Sequence, residues 1–376
     1  MQYKQALITI KKSIMNAESG EFEILSTRLN ENMNETQLYG DTPETKADRY
    51  RILFSLNMYT INKFGKTYNE IIEHPENIKD PNNEPIDLAI YIALSEEFNH
   101  VVEILNSQYK SFEYNDISIT IFQDKWKERA FNRFYNVFII PAGTMGNISA
   151  GNIITSIMTI YKPQNIVIAG IAGAISADLQ IGDVFIPASV NDYLANIKIT
   201  GKKIPKFEPS GSTLSTDQHL LNNFRHFNSK KYDGYNNWRA NINNELNIII
   251  NDEMKEALKK LGVNLPLHCK LVVGEDKVLG SGPAVIESRS FANWIKSQNR
   301  KVAAVDTESA GVYNAAFMQK YRPSVLTIRG ISDCADKNKS LIESATQSKL
   351  RKLAMKNVIS LIKVAVEEGL FNNQQS

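Results

Sequence analysis

Val302-Ala-Ala-Val-Asp-Thr-Glu-Ser-Ala-Gly311 is followed closely by Ile328-Arg-Gly-Ile-Ser-Asp-Cys-Ala-Asp336. Each stretch reads as a short apolar strand that stops at acidic residues. Val302 to Val305 runs into Asp306 and Glu308. Val325 to Ile328 runs through Arg329 and Gly330 into Ser332 and Asp333. Between them, Ala310, Val312, Ala315, Ala316 and Met318 predict one helix over 309–320. Strand, helix, strand is the parallel crossover unit, and such sheets bind ligands beyond the carboxyl ends of their strands. Glu308 and Asp333 are therefore candidates to share one crevice. The competing role is helix capping, because carboxylates suit a helix N-terminus.

The rest of the chain supports an α/β protein with a second, smaller part. Its 376 residues suit two domains better than one. An apolar share of 43% with 22% charged is ordinary for a globular protein, and the net charge of +2 gives no global pull toward nucleic acid or an acidic membrane. The two cysteines, Cys269 and Cys334, fit a reducing cytosol, and the five histidines lack ligand spacing, so no metal is expected. No apolar run is long enough to span a bilayer, and the start lacks a signal-peptide core. A cytoplasmic protein is the expectation.

Residues 1–80 read as a small helical domain. Leu7, Ile10 and Ile14 share one face, residues 21–41 are polar with weak periodicity, and Thr42-Pro-Glu44 is a strong helix start. Tyr68, Ile71 and Ile72 suggest a further short helix. Lys79-Asp-Pro-Asn-Asn-Glu-Pro85 is a turn-rich boundary. A second domain spans 86–370. Strands are expected at 86–93, 117–122, 135–141, 165–171, 183–190 and 271–274, and a closing helix at 341–366. Residues 195–268 are rich in Lys, Asn and Gly, and they read as a long insertion or lid.

Three carboxylates thus lie at strand ends: Glu97, Glu308 and Asp333. So do the turns Gly143-Thr-Met-Gly146 and Gly170-Ile-Ala-Gly173. Glycine there admits a ligand close to the backbone, and a helix after Gly146 would turn free N–H groups toward it. Each turn alone is weak evidence, since both lack the dinucleotide and phosphate-loop fingerprints.

Ala93-Leu-Ser-Glu-Glu-Phe98, the two glycine turns, Leu179-Gln-Ile-Gly-Asp183, Ser281-Gly-Pro-Ala-Val-Ile286, Val305-Asp-Thr-Glu-Ser-Ala310 and Arg329-Gly-Ile-Ser-Asp-Cys-Ala-Asp336 together resemble the nucleoside phosphorylase/nucleosidase family. The nearest branch is that of the 5′-methylthioadenosine/S-adenosylhomocysteine nucleosidases. The resemblance covers roughly 86–366. It implies a mixed central sheet flanked by helices, no cofactor, a purine nucleoside or nucleotide as ligand, and a homo-oligomer.

It also implies roles. Glu97 would activate the attacking water, Glu308 would bind the ribose hydroxyls, and Asp333 would protonate the departing base at N7. Val285 and Ile286 would line the base pocket, with Ile171, Ala172, Gly173 and Gly146 near the sugar. Thr307 stands where many relatives carry methionine, and Pro283 where nucleosidases more often carry an acidic residue. An acidic first turn without arginine favours water over inorganic phosphate as the attacking group. The alternatives are a housekeeping nucleosidase, a phosphate-dependent phosphorylase and a non-catalytic nucleotide sensor.

Two basic clusters are either solvated surface or a clamp for a 5′-phosphate chain. One is Lys125, Lys127, Arg129 and Arg133 around Trp126; the other is Lys198, Lys202, Lys203 and Lys206. The stretches Asp48–Asn57 and Phe64–Asn69 resemble the small helical adaptors of bacterial defence effectors. That resemblance implies a protein partner for the N-terminal domain and an effector that depletes ATP or related nucleotides.

Overall fold

The computed structural model describes residues 7, 10, 19–64, 68, 86–105, 110–113, 120–129, 131–201, 206–263 and 265–372. The chain divides into two compact units, Met1–Glu84 and Pro85–Ser376.

In the first unit, α1 (Ser19–Tyr39) and α2 (Pro43–Phe64) pack on each other. Thr42 and Thr45 cap the start of α2 reciprocally. The Thr42 hydroxyl accepts from the Thr45 N–H at 3.2 Å, and the Thr45 hydroxyl accepts from the Thr42 N–H at 2.9 Å. The weakly periodic stretch 21–41 is helical as far as Tyr39, in keeping with a helical domain. Phe22, Leu25 and Leu29 give it a narrow stripe that closes on Ile52 and Leu56. Tertiary burial of a few large side chains outweighs a polar average. Leu7, Ile10 and Tyr68 are buried in the same cluster. Ile14, Ile71, Ile72 and the 79–85 boundary lie outside the described residues.

The second unit runs β1 (Leu88–Ile92), α3 (Ser95–Leu105), β2 (Lys110–Glu113), β3 (Thr120–Glu128), β4 (Arg133–Pro141), α4 (Asn147–Tyr161), β5 (Asn165–Ala174), β6 (Val184–Ile186) and β7 (Ser189–Asp192). It continues with β8 (Ile197–Thr200), β9 (Lys206–Pro209), β10 (Ser212–Ser215), α5 (Gln218–His226), α6 (Asp233–Ile249), α7 (Asp252–Lys260), β11 (Leu271–Val273) and β12 (Val278–Ser281). It closes with α8 (Arg289–Gln298), β13 (Val302–Asp306), α9 (Ser309–Phe317), β14 (Ser324–Asp333), α10 (Lys339–Thr346) and α11 (Lys349–Glu367).

Twelve strands form one mixed sheet in which β4, β1, β5 and β14 are parallel neighbours. Helices cover both faces. Leu88, Ile90 and Ile92 of β1 point into a core completed by α5, α6 and α11. Ala89 and Tyr91 point into the opposite core, completed by α4 and α9. A strand buried on both sides must be apolar throughout, as β1 and β5 are. No helix among the described residues is long and apolar enough to cross a membrane.

Two expectations are corrected here. Much of 195–268 is not a lid but part of the packed body of the unit. Leu220, Leu221 and Phe224 of α5 and Tyr235, Trp238, Ile242 and Leu246 of α6 are buried in the main core. Their helical spacing outweighs the surrounding Asn and Lys. The closing helix is also two helices. Gln347 and Ser348 take left-handed backbone angles, φ 51° and 59°, and break it between α10 and α11.

The amino ends of the parallel strands are tied by side chains. Asp87 accepts from the Asn136 N–H at 2.8 Å, and the Asn165 amide donates to the carbonyls of Asp87 (3.0 Å) and Phe371 (3.2 Å). Asn372 accepts from Tyr135 at 2.5 Å and from Arg133, and donates to the buried Glu128. The carboxyl ends, by contrast, open onto a cavity.

Candidate active site

Three strand ends deliver the three carboxylates to that cavity, which has a volume of about 290 Å³. Glu97 follows β1 in the first turn of α3, Glu308 follows β13 just before α9, and Asp333 ends β14. All three line the cavity together with Ile171, Ala172, Gly173, Val285, Ile286 and Thr307. Gly146 borders it, donating its N–H to Glu308 Oε1 at 3.5 Å.

The glycine turns are needed for distinct reasons. A Cβ on Gly170 would lie 2.1 Å from Arg329 Nη1 and 3.3 Å from Glu97 Oε1. The bare backbone of β5 is therefore where guanidinium and carboxylate meet. A Cβ on Gly173 would lie 2.8 Å from Asp333 Oδ1. Asp333 reaches that position because β14 bulges, so that Ile331 and Asp333 stand opposite the consecutive residues Ala172 and Gly173.

Each carboxylate has its own environment. Glu97 is 4% exposed, and its oxygens accept from the N–H groups of Ile171 (3.0 Å) and Leu94 (3.3 Å). Burial pushes its pKa up to about 6, although Arg329 and both N–H groups oppose the shift. Glu308 accepts from Thr307 Oγ1 and from Arg329 at 3.2 Å. Burial raises its pKa as well, with Asp306 adding to the rise and Arg329 opposing it. Asp333 accepts from the Ala335 N–H and from the Ser332 hydroxyl, both at 2.8 Å.

Arg329 links the site. It is 1% exposed, pairs with Asp306 at 2.5 Å as well as with Glu308, and keeps an unpartnered Nε. Asn147, the first residue of α4, fixes the rim. Its Oδ1 accepts from Ser281 Oγ at 3.0 Å and from the Gly311 N–H at 3.1 Å, and Ser281 Oγ accepts from the Ala310 N–H at 3.0 Å.

The sequence profile of the phosphorylase superfamily matches residues 87–366. The chain belongs to the phosphorylase superfamily. Within that superfamily it is 24% identical, over 284 residues, to a 5′-methylthioadenosine/S-adenosylhomocysteine nucleosidase of Buchnera aphidicola subsp. Schizaphis graminum, spanning 73% of this chain and 97% of the relative. It is 23% identical over 201 residues to an ATP nucleosidase of Escherichia coli (strain KTE188); that match spans 52% of this chain and 35% of the relative. The solved S-adenosylhomocysteine nucleosidase of Streptococcus pyogenes, in complex with 5-methylthiotubericidin, shares the fold. Its TM-score is 0.51 at 16% identity, over 76% of this chain and 98% of that one.

The first basic cluster does not line the cavity. Lys125 lies in the second half of β3, Arg129 follows its last residue, and Arg133 begins β4, whose carboxyl end faces the cavity. Eight strand steps separate Arg133 from Pro141, about 26 Å at the usual rise. Arg129 is paired there with Glu367 (2.7 Å) and Arg133 with Glu128 (2.5 Å). The reason is strand direction: β3 is antiparallel to β4, so its last residues return to the amino end. Lys202 and Lys203 lie outside the described residues.

The cavity has cationic lining residues that the sequence reading passed over, Lys339 of α10 and Arg351 of α11. Arg329 was also missed as a site residue. Its signal was a charge inside an otherwise apolar strand, four residues before Asp333.

Proposed function

We propose that this protein is a hydrolytic N-glycosidase that cleaves the base–ribose bond of adenine nucleosides or nucleotides. The observation that carries the reading is the convergence of Glu97, Glu308 and Asp333 on one cavity. Breaking the C–N bond builds positive charge on the ribose and negative charge on the base. Glu308, beside the sugar hydroxyls, stabilises the first. Asp333 supplies a proton to the second at purine N7, and Glu97 takes the proton of the attacking water. Glycoside hydrolases divide acid and base between two carboxyl groups in the same manner.

Water is favoured over inorganic phosphate because the buried Glu97 carboxylate would repel a phosphate beside it. The similarity to an ATP nucleosidase supports a further part of the proposal, an effector that depletes ATP. A homo-oligomer, and a protein partner for the helical unit, belong to the same proposal.

The test is to incubate the full chain with adenosine, AMP, ATP and methylthioadenosine, with and without inorganic phosphate, and to identify the products. Adenine and free ribose or ribose phosphate are expected without added phosphate. A requirement for phosphate, or no adenine from any substrate, would refute the proposal.

A further inference from the structure

The cavity is rich in acid: Glu97, Asp306, Glu308, Asp333, Glu287 and Glu343 all line it. Its cations are unequal. Arg329, beneath the site, is held by Asp306 and Glu308. Arg351 is shared by Glu343 at 2.8 Å and Glu96 at 3.2 Å. Lys339 lines the same cavity half-buried, and its ammonium has no ion pair or hydrogen bond among the described residues.

An ammonium facing a cavity without a partner is costly when a ligand excludes its water, unless the ligand brings an acceptor. The break at Gln347 and Ser348 lets α10 and α11 both contribute to the wall that carries Lys339, Glu343 and Arg351. With the base at Val285 and Ile286 and the ribose hydroxyls at Glu308, this wall is left for the 5′ substituent. A thioether there would strand the Lys339 ammonium against a methyl group. A phosphate would pair with it, and the neighbouring Arg351 fork can turn to a second oxygen.

We propose that Lys339, flanked by Arg351, binds a phosphate carried on the ribose 5′ carbon, so that the preferred substrate is a 5′-phosphorylated adenine nucleotide. This rests on the N-glycosidase reading above. The same chemistry would suit free phosphate acting as the attacking group, and the test separates the two sources.

The measurement is kcat/KM for AMP and for adenosine, with the full chain, for wild type, Lys339→Ala and Lys339→Glu. Wild type is expected to prefer AMP. Lys339→Ala is expected to lower the AMP-to-adenosine ratio about ten- to a hundredfold, mainly through KM, as loss of a charge-assisted hydrogen bond does. Lys339→Glu lowers it further. An unchanged ratio, or a parallel loss on both substrates, overturns the proposal. So does ribose 1-phosphate appearing when inorganic phosphate is added.

Equilibrium dialysis of AMP and adenosine against Asp333→Asn, with and without Lys339→Ala, reads binding without turnover. Tighter AMP binding that vanishes with Lys339→Ala supports the phosphate site even if no adenine is released by wild type. Equal binding of both ligands overturns it while leaving adenine release to judge the N-glycosidase reading.

Discussion

Replacing Glu97 with Gln tests both the chemistry and the electrostatics of the site. Burial lifts this carboxyl from its ordinary 4.5 to about 6. At 1.36 kcal/mol per unit, its ionised form therefore costs the folded state about 2 kcal/mol. The sign follows from proton binding. Between about pH 4.5 and 6 the folded chain holds a proton that the unfolded chain releases, so stability falls as pH rises through this window. Above pH 6 the whole cost is present.

Glu97→Gln removes that cost but places an amide NH2 against a backbone N–H, because both carboxylate oxygens are acceptors. The longer bond, to Leu94, is the one expected to be lost, at about 1–3 kcal/mol. The two effects offset, so melting at pH 8 is expected close to wild type. The melting temperature should also lose much of its slope below pH 6. Activity is expected to fall about 10²- to 10⁴-fold, the usual worth of a general base. Wild-type adenine release, followed from pH 5 to 9, should decline on the acid side as Glu97 takes up its proton near pH 6. A variant within tenfold of wild type, or a wild-type rate that is flat down to pH 5, would refute the assignment.

Arg329→Met should be among the most damaging substitutions in the chain. It strands two buried carboxylates, Asp306 and Glu308, and should cost about 3–5 kcal/mol, read by denaturant unfolding. Gly311→Ala would bring a Cβ within 1.9 Å of the Asn147 carbonyl oxygen, with no flexible side chain to yield. Separation of α4 from α9 should lower stability by about 1–3 kcal/mol and raise KM, since Asn147 holds the rim. Arg133→Ala should lower the melting temperature, because it leaves the buried Glu128 short of its cation, yet leave KM for AMP unchanged. A raised KM would return the β3–β4 cluster to the site.

What the sequence made legible follows from local rules. Val302–Val305 and Val325–Ile328 could only be buried strands, and Glu97, Glu308 and Asp333 sit where such strands stop. Their roles came from resemblance to a family; their convergence on one cavity is geometric. Other features depended on information that is not local. The charge of Lys125, Arg129 and Arg133 says nothing of which end of the sheet they reach, and the antiparallel turn decides it. The helix break at Gln347 and Ser348 carries neither Gly nor Pro, so nothing in the sequence announced Lys339 and Arg351 as neighbours of the cavity. In 218–249 the apolar residues recur at helical spacing, but they are diluted by Asn and Lys.

The ties among Asp87, Asn136, Asn165, Phe371 and Asn372 give the sheet a fastened pole and a working pole. Strands β4 and β5 are gripped at one end by the chain's last described residues, β1 is tied to both through Asp87, and the same strands carry the cavity at the other end. Trimming a few residues after Glu367 would then act like loosening the pegs of a stringed instrument. The strands would lose tension far from the cavity, and the alignment of Glu97 with Ile171 would drift although no residue of the cavity had been touched.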